Sequence, residues 1–136
     1  MARFPYLAMN NLPTSLAPRL PLTLIYRQNV LETVGLIDSG ASVNVIPYSV
    51  GIGLGANWDE QTIPVKLSGA LGQFEARVLI VLATHPQIIP NHTVELAFAW
   101  VKSENVPVIF GQMNFFLEFD ICFYRSKGFF EVNLKS

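Results

Sequence analysis

The sequence predicts a mostly β fold organised as one domain. Nine prolines and nine glycines divide the chain into short segments, and these segments are rich in Val, Ile, Leu and Phe. Short apolar segments between turn-forming residues are typical of β proteins rather than of helical bundles. The length of 136 residues is enough for one hydrophobic core and too short for two lobes. We therefore expect a single lobe built mainly from strands.

Strands are expected wherever an apolar or β-branched run lies between turn signals. They span residues 20–27, 30–37, 43–46, 62–67, 74–83, 94–101, 107–111, 121–124 and 129–134. Residues 1–19 contain three prolines and are expected to form an extended arm, whereas residues 20–136 form the domain. Residues 84–93 are expected to be a loop because they contain two prolines. The best helix candidate is 112–119, where three phenylalanines are spaced to face a core.

Two predicted hairpins surround the most informative part of the chain. The first turns at Gln28 and Asn29 and delivers Asp38 at the end of its second strand. The second turns at residues 68–73, where two glycines make the tip flexible because glycine has no steric bar to unusual dihedral angles. Residues 48–55, between the hairpins, are interrupted by glycines and are expected to be irregular or a weak helical turn.

The composition limits the partners and the compartment. Hydrophobic residues make up 51% and charged residues 14%, below the roughly 25% charged that is usual, which favours a self-association interface. Lys and Arg are scattered and the net charge is -1, so no basic stripe is available for nucleic acid. No apolar run reaches the roughly 18 residues of a membrane span, and Pro5 interrupts any signal-peptide core. The single Cys122 excludes an internal disulfide and fits a reducing compartment, so we expect a cytoplasmic protein.

Several other features have structural interpretations. The glycine pattern at 51–55 lacks the preceding strand and following helix of a phosphate loop. His85 and His92 have no Cys or acidic partners at ligand spacing, so they are expected to be solvated, and no metal or cofactor is predicted. Cys122 lies in an apolar run and is expected to be a small core residue. The two tryptophans are expected to pack in the core or at its rim.

Asp38 is the residue that folding alone does not explain. It ends an apolar run in the segment LIDSGAS at 36–42, and burying a charge costs several kcal/mol unless the charge is paired or hydrogen-bonded. Either Asp38 caps a turn or it takes part in chemistry. An Asp-Ser-Gly sequence taken alone is more often a turn or an Asx cap, so the context must decide between the two.

Three features in order, over about residues 20–119, resemble the retropepsin-like aspartic proteases. They are the segment LIDSGAS at 36–42, the glycine-tipped hairpin about thirty residues later, and the apolar strand VIFG at 108–111 before a short helix. The resemblance implies a closed β-barrel-like acid protease lobe with a flap hairpin and one short C-terminal helix. Because the final hairpin extends past the compact retroviral C-terminus, the chain looks like a cellular or microbial branch.

The resemblance also assigns roles to residues. Asp38 is the catalytic carboxylate, Ser39 hydrogen-bonds across a twofold axis, and Gly40 lets the backbone turn tightly beneath the carboxylate. The strand VIFG crosses behind this catalytic loop. The implied substrate-binding residues lie next to the motif and in the flap: Ala41, Ser68, Gly69, Ala70, Leu71 and Gly72.

The implied chemistry needs two carboxylates that share one proton, because two like charges a few ångströms apart cannot both ionise. The ionised carboxylate activates a water as general base, and the protonated one polarises the scissile carbonyl. This chain carries one such motif, since Asp59 and Asp120 lack the Ser-Gly context. A symmetric homodimer would supply the second carboxylate. The expected function is therefore an aspartic endopeptidase acting on extended protein or peptide substrates.

One departure from the family keeps a second hypothesis open. Retroviral members carry Gly-Arg after the second apolar strand, whereas this chain has Gly111 and Gln112, so the arginine ion pair that braces their dimer is absent. The alternative function is a catalytically silent retropepsin-like module for dimerisation or peptide binding. Retention of Asp38, Ser39 and Gly40 favours the enzyme, and loss of the arginine favours the silent module.

Overall fold

The strands and helices follow the order expected for a β protein with little helix. The computed structural model describes residues 2–9 and 15–135. Its strands and α-helices are β1 (Ala2–Pro5), β2 (Arg19–Tyr26), β3 (Asn29–Ile37), β4 (Asn44–Ile46), α1 (Tyr48–Gly53), β5 (Ala76–His85), β6 (Ile89–Val101), β7 (Ile109–Phe110), α2 (Phe115–Glu118), β8 (Phe119–Tyr124) and β9 (Phe129–Leu134). The prediction of a mostly β fold is confirmed.

Six strands close into a barrel in the order β2, β3, β7, β4, β6, β5. Two long antiparallel pairs, β2 with β3 and β5 with β6, make most of its wall, and pairing of β2 with β5 closes it. The short strand β7 lies between β3 and β4, parallel to the first and antiparallel to the second. The barrel prediction is confirmed, and β7 brings the end of β3 next to the start of β4.

The core fills the barrel because the strands alternate inward and outward side chains. On β2 the inward residues Leu20, Leu22 and Leu24 are fully buried. Both predicted core tryptophans, Trp58 and Trp100, are buried with their rings 5.0 Å apart. Replacing one buried leucine by alanine typically costs about 2–5 kcal/mol of folding free energy, so the inward side chains of β2 contribute strongly to the stability of the barrel.

The two ends of the chain meet in a separate three-stranded sheet, ordered β1, β9, β8. Phe4 on β1 stacks on Phe130 of β9 with ring centroids 5.6 Å apart, and Arg3 forms an ion pair with Glu131 at 3.2 Å. Part of the predicted arm is therefore a strand of this sheet. Residues 10–14 of the arm lie outside the described residues, and the division of the chain at residue 20 stays a prediction.

Two predicted elements near the candidate flap are wrong in detail. Residues 62–67 form no strand and contact β5 through a single bridge, Pro64 with Arg77. Gly69–Gln73 is a 3-10 helix rather than the turn of a regular hairpin.

The predicted loop at 84–93 is mostly strand, since β5 continues to His85 and β6 begins at Ile89.

The predicted helix at 112–119 is shorter than expected, and the weak turn at 48–55 is the helix α1. Asn114 has φ 84°, which a helix cannot accommodate, so α2 begins only at Phe115. Phe115 and Phe119 are buried as predicted, whereas Phe116 is half-buried. Within residues 2–9 and 15–135, no helix has the length and apolar character needed to cross a membrane.

Candidate active site

Asp38 lies immediately after β3 at the start of a tight loop. Its backbone N–H donates to the Phe110 carbonyl at 3.0 Å, and the Ala41 N–H donates to the Asp38 carbonyl at 3.1 Å. The Gly40 N–H donates to Oδ1 of Asp38 at 2.9 Å. A Cβ on residue 40 would stand 3.2 Å from that oxygen, so glycine permits the close approach of the amide. The carboxylate is half-buried and keeps access to solvent.

The loop is held from behind by the chain that follows β7. The amides of Gln112 and Met113 donate to the carbonyls of Ala41 and Ser42, both at 2.8 Å. The side-chain Nε2 of Gln112 donates to the Ser39 carbonyl at 2.9 Å. Together with the bond from Asp38 to Phe110, these contacts fix both ends of the Asp38 loop.

Gly111 is required where this chain passes behind the loop. A Cβ at that position would lie 2.4 Å from the carbonyl oxygen of Val43 and 2.9 Å from that of Ala41. These are backbone atoms that cannot move aside, so the segment could not pass there with any other residue. The close packing of the backbone therefore explains why the VIFG segment ends in glycine.

A pocket of about 170 Å³ opens beside the carboxylate. Its wall combines Asp38, Gly40 and Ala41 with Leu67, Ser68 and Leu71, and its remaining lining is Ser42, Val43, Val45 and Ile109. The structure therefore brings together the predicted catalytic loop and part of the predicted flap. Of the predicted site residues, Ser39, Gly69, Ala70 and Gly72 do not line this pocket.

The segment over the pocket is packed through apolar side chains. Leu67 is buried, and Leu71 and Phe74 are partly buried against a second core cluster that includes Val45 and Ile109. Gly69 has φ 66° with open space around it, which gives the segment its turn. The cover of the pocket is therefore a compact helical turn, which differs from the two-stranded hairpin that the sequence predicted.

Comparison with known proteins settles the architecture. No protein-family model matches the chain, and no curated protein matches it. The structure superposes on the crystal structure of a retropepsin-like aspartic protease from Rickettsia conorii with a TM-score of 0.66 and 10% sequence identity, covering 98% of this chain and 91% of that chain. The chain has the retropepsin-like fold. At this level of identity the likeness concerns the fold, and the chemistry must be argued from the site.

The pocket of this retropepsin-like chain holds one carboxylate among its described lining residues, that of Asp38. Asp59 lies in a 3-10 helix and lines a different surface depression, and Asp120 is exposed on β8. Within residues 2–9 and 15–135, no cluster of three or more His, Cys, Asp or Glu could hold a metal ion. One chain thus offers half of a carboxylate pair.

The titratable side chain of His85 and the thiol of Cys122 differ in burial from what the sequence predicted. His85 is 9% exposed, with Phe4 against its ring at 5.3 Å, rather than solvated. Burial lowers the pKa of His85, while the nearby Glu32 acts in the opposite direction. Cys122 is exposed on β8 rather than in the core. Neither residue lines the Asp38 pocket.

Sequence reasoning missed the polar residues that support the site. Asn44 is fully buried in the wall of the barrel and contacts Gly111 and Asn114. The signal was present as a single amide between Val43 and Val45, in a strand that is otherwise apolar. Buried amides need partners, and the sequence could not tell which backbone groups would supply them.

Proposed function

We propose that this protein is an aspartic endopeptidase that works as a homodimer. The observation that carries the proposal is the Asp38 carboxylate, held by the Gly40 N–H at 2.9 Å and facing a pocket beneath the residue 68–73 segment. This arrangement stands on a retropepsin-like fold. No cofactor is part of the proposed reaction.

In the proposed dimer the two Asp38 carboxylates face each other across the twofold axis and share one proton. The ionised carboxylate takes a proton from a water, which attacks the carbonyl carbon of the substrate. The protonated carboxyl donates a hydrogen bond to the carbonyl oxygen as negative charge develops there. Ser39, exposed at the tip of the loop, is assigned the hydrogen bond across the axis.

The lining of the pocket supports an extended substrate with apolar side chains. Val43, Val45 and Ile109 form one wall and Leu71 faces them from the covering segment. Burial of an apolar side chain there is favourable by about 25 cal/mol per Å² removed from water. We assign Ala41 and Ser68–Gly72 to substrate contact, with residues 68–73 moving as the flap.

The dimer surface is proposed to combine the Asp38 loops with the free edge of β8. Among the described residues no strand pairs with that edge, and Phe123 and Tyr124 on it are 41% and 37% exposed. Exposed edges of this kind are templates for pairing with another chain. An antiparallel β8 pair across a twofold axis would join two terminal sheets into one of six strands.

The proposed compartment is the cytoplasm. Cys122 is a free, exposed thiol, and such thiols stay reduced in that compartment. Fractionation of cells that express the tagged protein checks this, and recovery of the protein in the membrane or extracellular fraction would contradict it.

The deciding experiment is hydrolysis of a peptide library at acidic and neutral pH by the purified protein and by Asp38→Asn. Asn retains an oxygen that can accept the Gly40 N–H, so we expect an unchanged melting temperature and no cleavage. Asp59→Asn is the matched control, because it removes an exposed carboxylate outside the pocket, and it should cleave normally.

Two further measurements separate the hypotheses. Specific activity should rise with protein concentration and level off, and excess Asp38→Asn chains should inhibit the wild type through mixed dimers. A protein that binds peptides without cleaving them, in wild type and Asp38→Asn alike, would instead establish the catalytically silent module, which the replacement of arginine by Gln112 favours.

A further inference from the structure

Asn44 occupies a position on β4 where an apolar residue would be expected. Its side chain is 0% exposed, and its amide makes three hydrogen bonds. Its Oδ1 accepts the Gly111 N–H at 2.8 Å, and its Nδ2 donates to the Ala97 carbonyl at 3.0 Å and to Oδ1 of Asn114 at 3.1 Å. A buried amide with three partners fixes the relative position of the elements that it joins.

Asn114 completes the connection to the barrel. Its Oδ1 also accepts the Ala97 N–H at 2.7 Å, so both backbone polar groups of Ala97 are bonded to the asparagine pair. Its backbone lies at φ 84° and ψ -58°, the region of the classic γ-turn, which is rare and strained. The pair therefore anchors the chain on either side of Gln112 and Met113 to β6.

The anchored chain is the support of the Asp38 loop. Four hydrogen bonds of 2.8–3.0 Å join residues 110–113 to residues 38–42. Gly111, near one end of the supporting segment, is fixed by Asn44, and Asn114 directly follows the other end. A shift of this segment would be passed directly to the Asp38 carboxylate, because no other described backbone contact holds the loop from behind.

We propose that Asn44 and Asn114 are positioning residues that set the separation of the two Asp38 carboxylates. This inference rests on the proposed function, because the separation matters only when two carboxylates share a proton. The closer the carboxylates, the wider the pH range over which the pair holds one proton. Loss of the asparagine pair should therefore narrow the active pH range as well as slow the reaction.

The test compares Asn114→Gly with Asn114→Asp in the full chain. Glycine accepts φ 84° without strain and removes the carboxamide, whereas Asp keeps an oxygen for the Ala97 N–H and for Nδ2 of Asn44. On a cleaved peptide, at concentrations that saturate the dimer, Asn114→Gly should lower kcat roughly 10- to 100-fold, change KM little and narrow the pH profile. Asn114→Asp should retain the kcat and the pH profile of the wild type.

A second measurement does not depend on activity. Amide hydrogen exchange at Gln112 and Met113, followed by NMR, should be faster in Asn114→Gly than in the wild type and normal in Asn114→Asp. Unchanged exchange, or an unchanged pH profile in Asn114→Gly, would overturn the positioning role. If the wild type cleaves no peptide, the proposed function fails, and the exchange rates still decide whether the asparagine pair holds the loop.

Discussion

Nε2 of Gln112 donates to the carbonyl oxygen of Ser39 at 2.9 Å, so the residue at the position where the resemblance predicts arginine supports the Asp38 loop of its own chain. The contact lies at the surface and crosses from the segment after β7 to the exposed tip of the Asp38 loop. The Gln112 amide thus supplies one N–H to the tip of the Asp38 loop.

Replacing Gln112 by alanine should therefore weaken the loop without disturbing the barrel. A hydrogen bond of this kind contributes about 1 kcal/mol, so kcat/KM should fall about fivefold while the melting temperature changes little. Gln112→Arg keeps a donor at the same place and should retain activity. Peptide hydrolysis by the three proteins checks this, and equal loss in the alanine and arginine variants would show that the donor is not what matters.

Pairing of β8 across the twofold axis predicts a specific crosslink. Residues on the same face must lie opposite each other in an antiparallel pair, so two registers pair five of the six β8 residues, one centred on Ile121 and one on Cys122. We propose the second register, because it pairs both exposed aromatic residues, Phe123 and Tyr124, and it places Cys122 opposite its copy. Directly opposed residues have Cα atoms about 4.5–5.5 Å apart, within the range that a disulfide spans. Mild oxidation should therefore give a covalent dimer, seen on non-reducing gels.

The control for this crosslink uses the same sheet. Asn133 is exposed on β9, which is one strand away from the proposed interface. A protein carrying Cys122→Ser and Asn133→Cys should stay monomeric on the gel under the same oxidation. If Asn133→Cys crosslinked as efficiently as wild-type Cys122, the contact between chains would not be made through the β8 edge.

Strain introduced at Gly69 should affect turnover more than strain of the same kind at Gly128. Both glycines have positive φ, 66° and 78°, and a Cβ added to either would have open space around it. Valine at either site should cost roughly 1–2 kcal/mol. Because Gly69 begins the turn that covers the Asp38 pocket, only Gly69→Val should also lower kcat strongly. Thermal melts and kinetics of both variants check this prediction. If Gly69→Val and Gly128→Val had the same kcat, residues 68–73 would not act as a flap.

His85 should make the folded state sensitive to acid. Burial lowers the pKa of His85 in the folded protein, whereas the unfolded chain binds a proton near the ordinary value of about 6.5. The unfolded state therefore binds more protons below that pH, and stability falls as the pH drops through about 6.5. In His85→Gln the free energy of unfolding should change less between pH 7 and 5.

The matched control for this titration is His92→Gln, which removes an exposed histidine at the other side of the same turn. Denaturant unfolding at several pH values should give the wild-type dependence for His92→Gln. An equal slope in His85→Gln would mean that other groups carry the acid sensitivity.

The local features of the barrel could be predicted because they depend on neighbours in the sequence. Alternation of Leu20, Leu22 and Leu24 gives β2 its inward face, and the predicted hairpin with β3 forms with its turn at Arg27 and Gln28 instead of one residue later. The position of Asp38 at the end of β3 also follows from a short apolar run that ends in small residues, whereas the placement of VIFG beside β3 was implied only by the resemblance to retropepsin-like proteases.

Other outcomes depended on contacts between distant segments. The irregular path of 62–67, the burial of His85 beneath Phe4 and the exposure of Cys122 on a sheet edge arise from packing that no local pattern encodes. The order of residues alone determined a β chain with one candidate catalytic carboxylate in an Asp-Ser-Gly turn. Only the tertiary structure decided what holds that turn, because the partners of Asn44 lie 53 to 70 residues away in the chain and meet it only when the barrel closes.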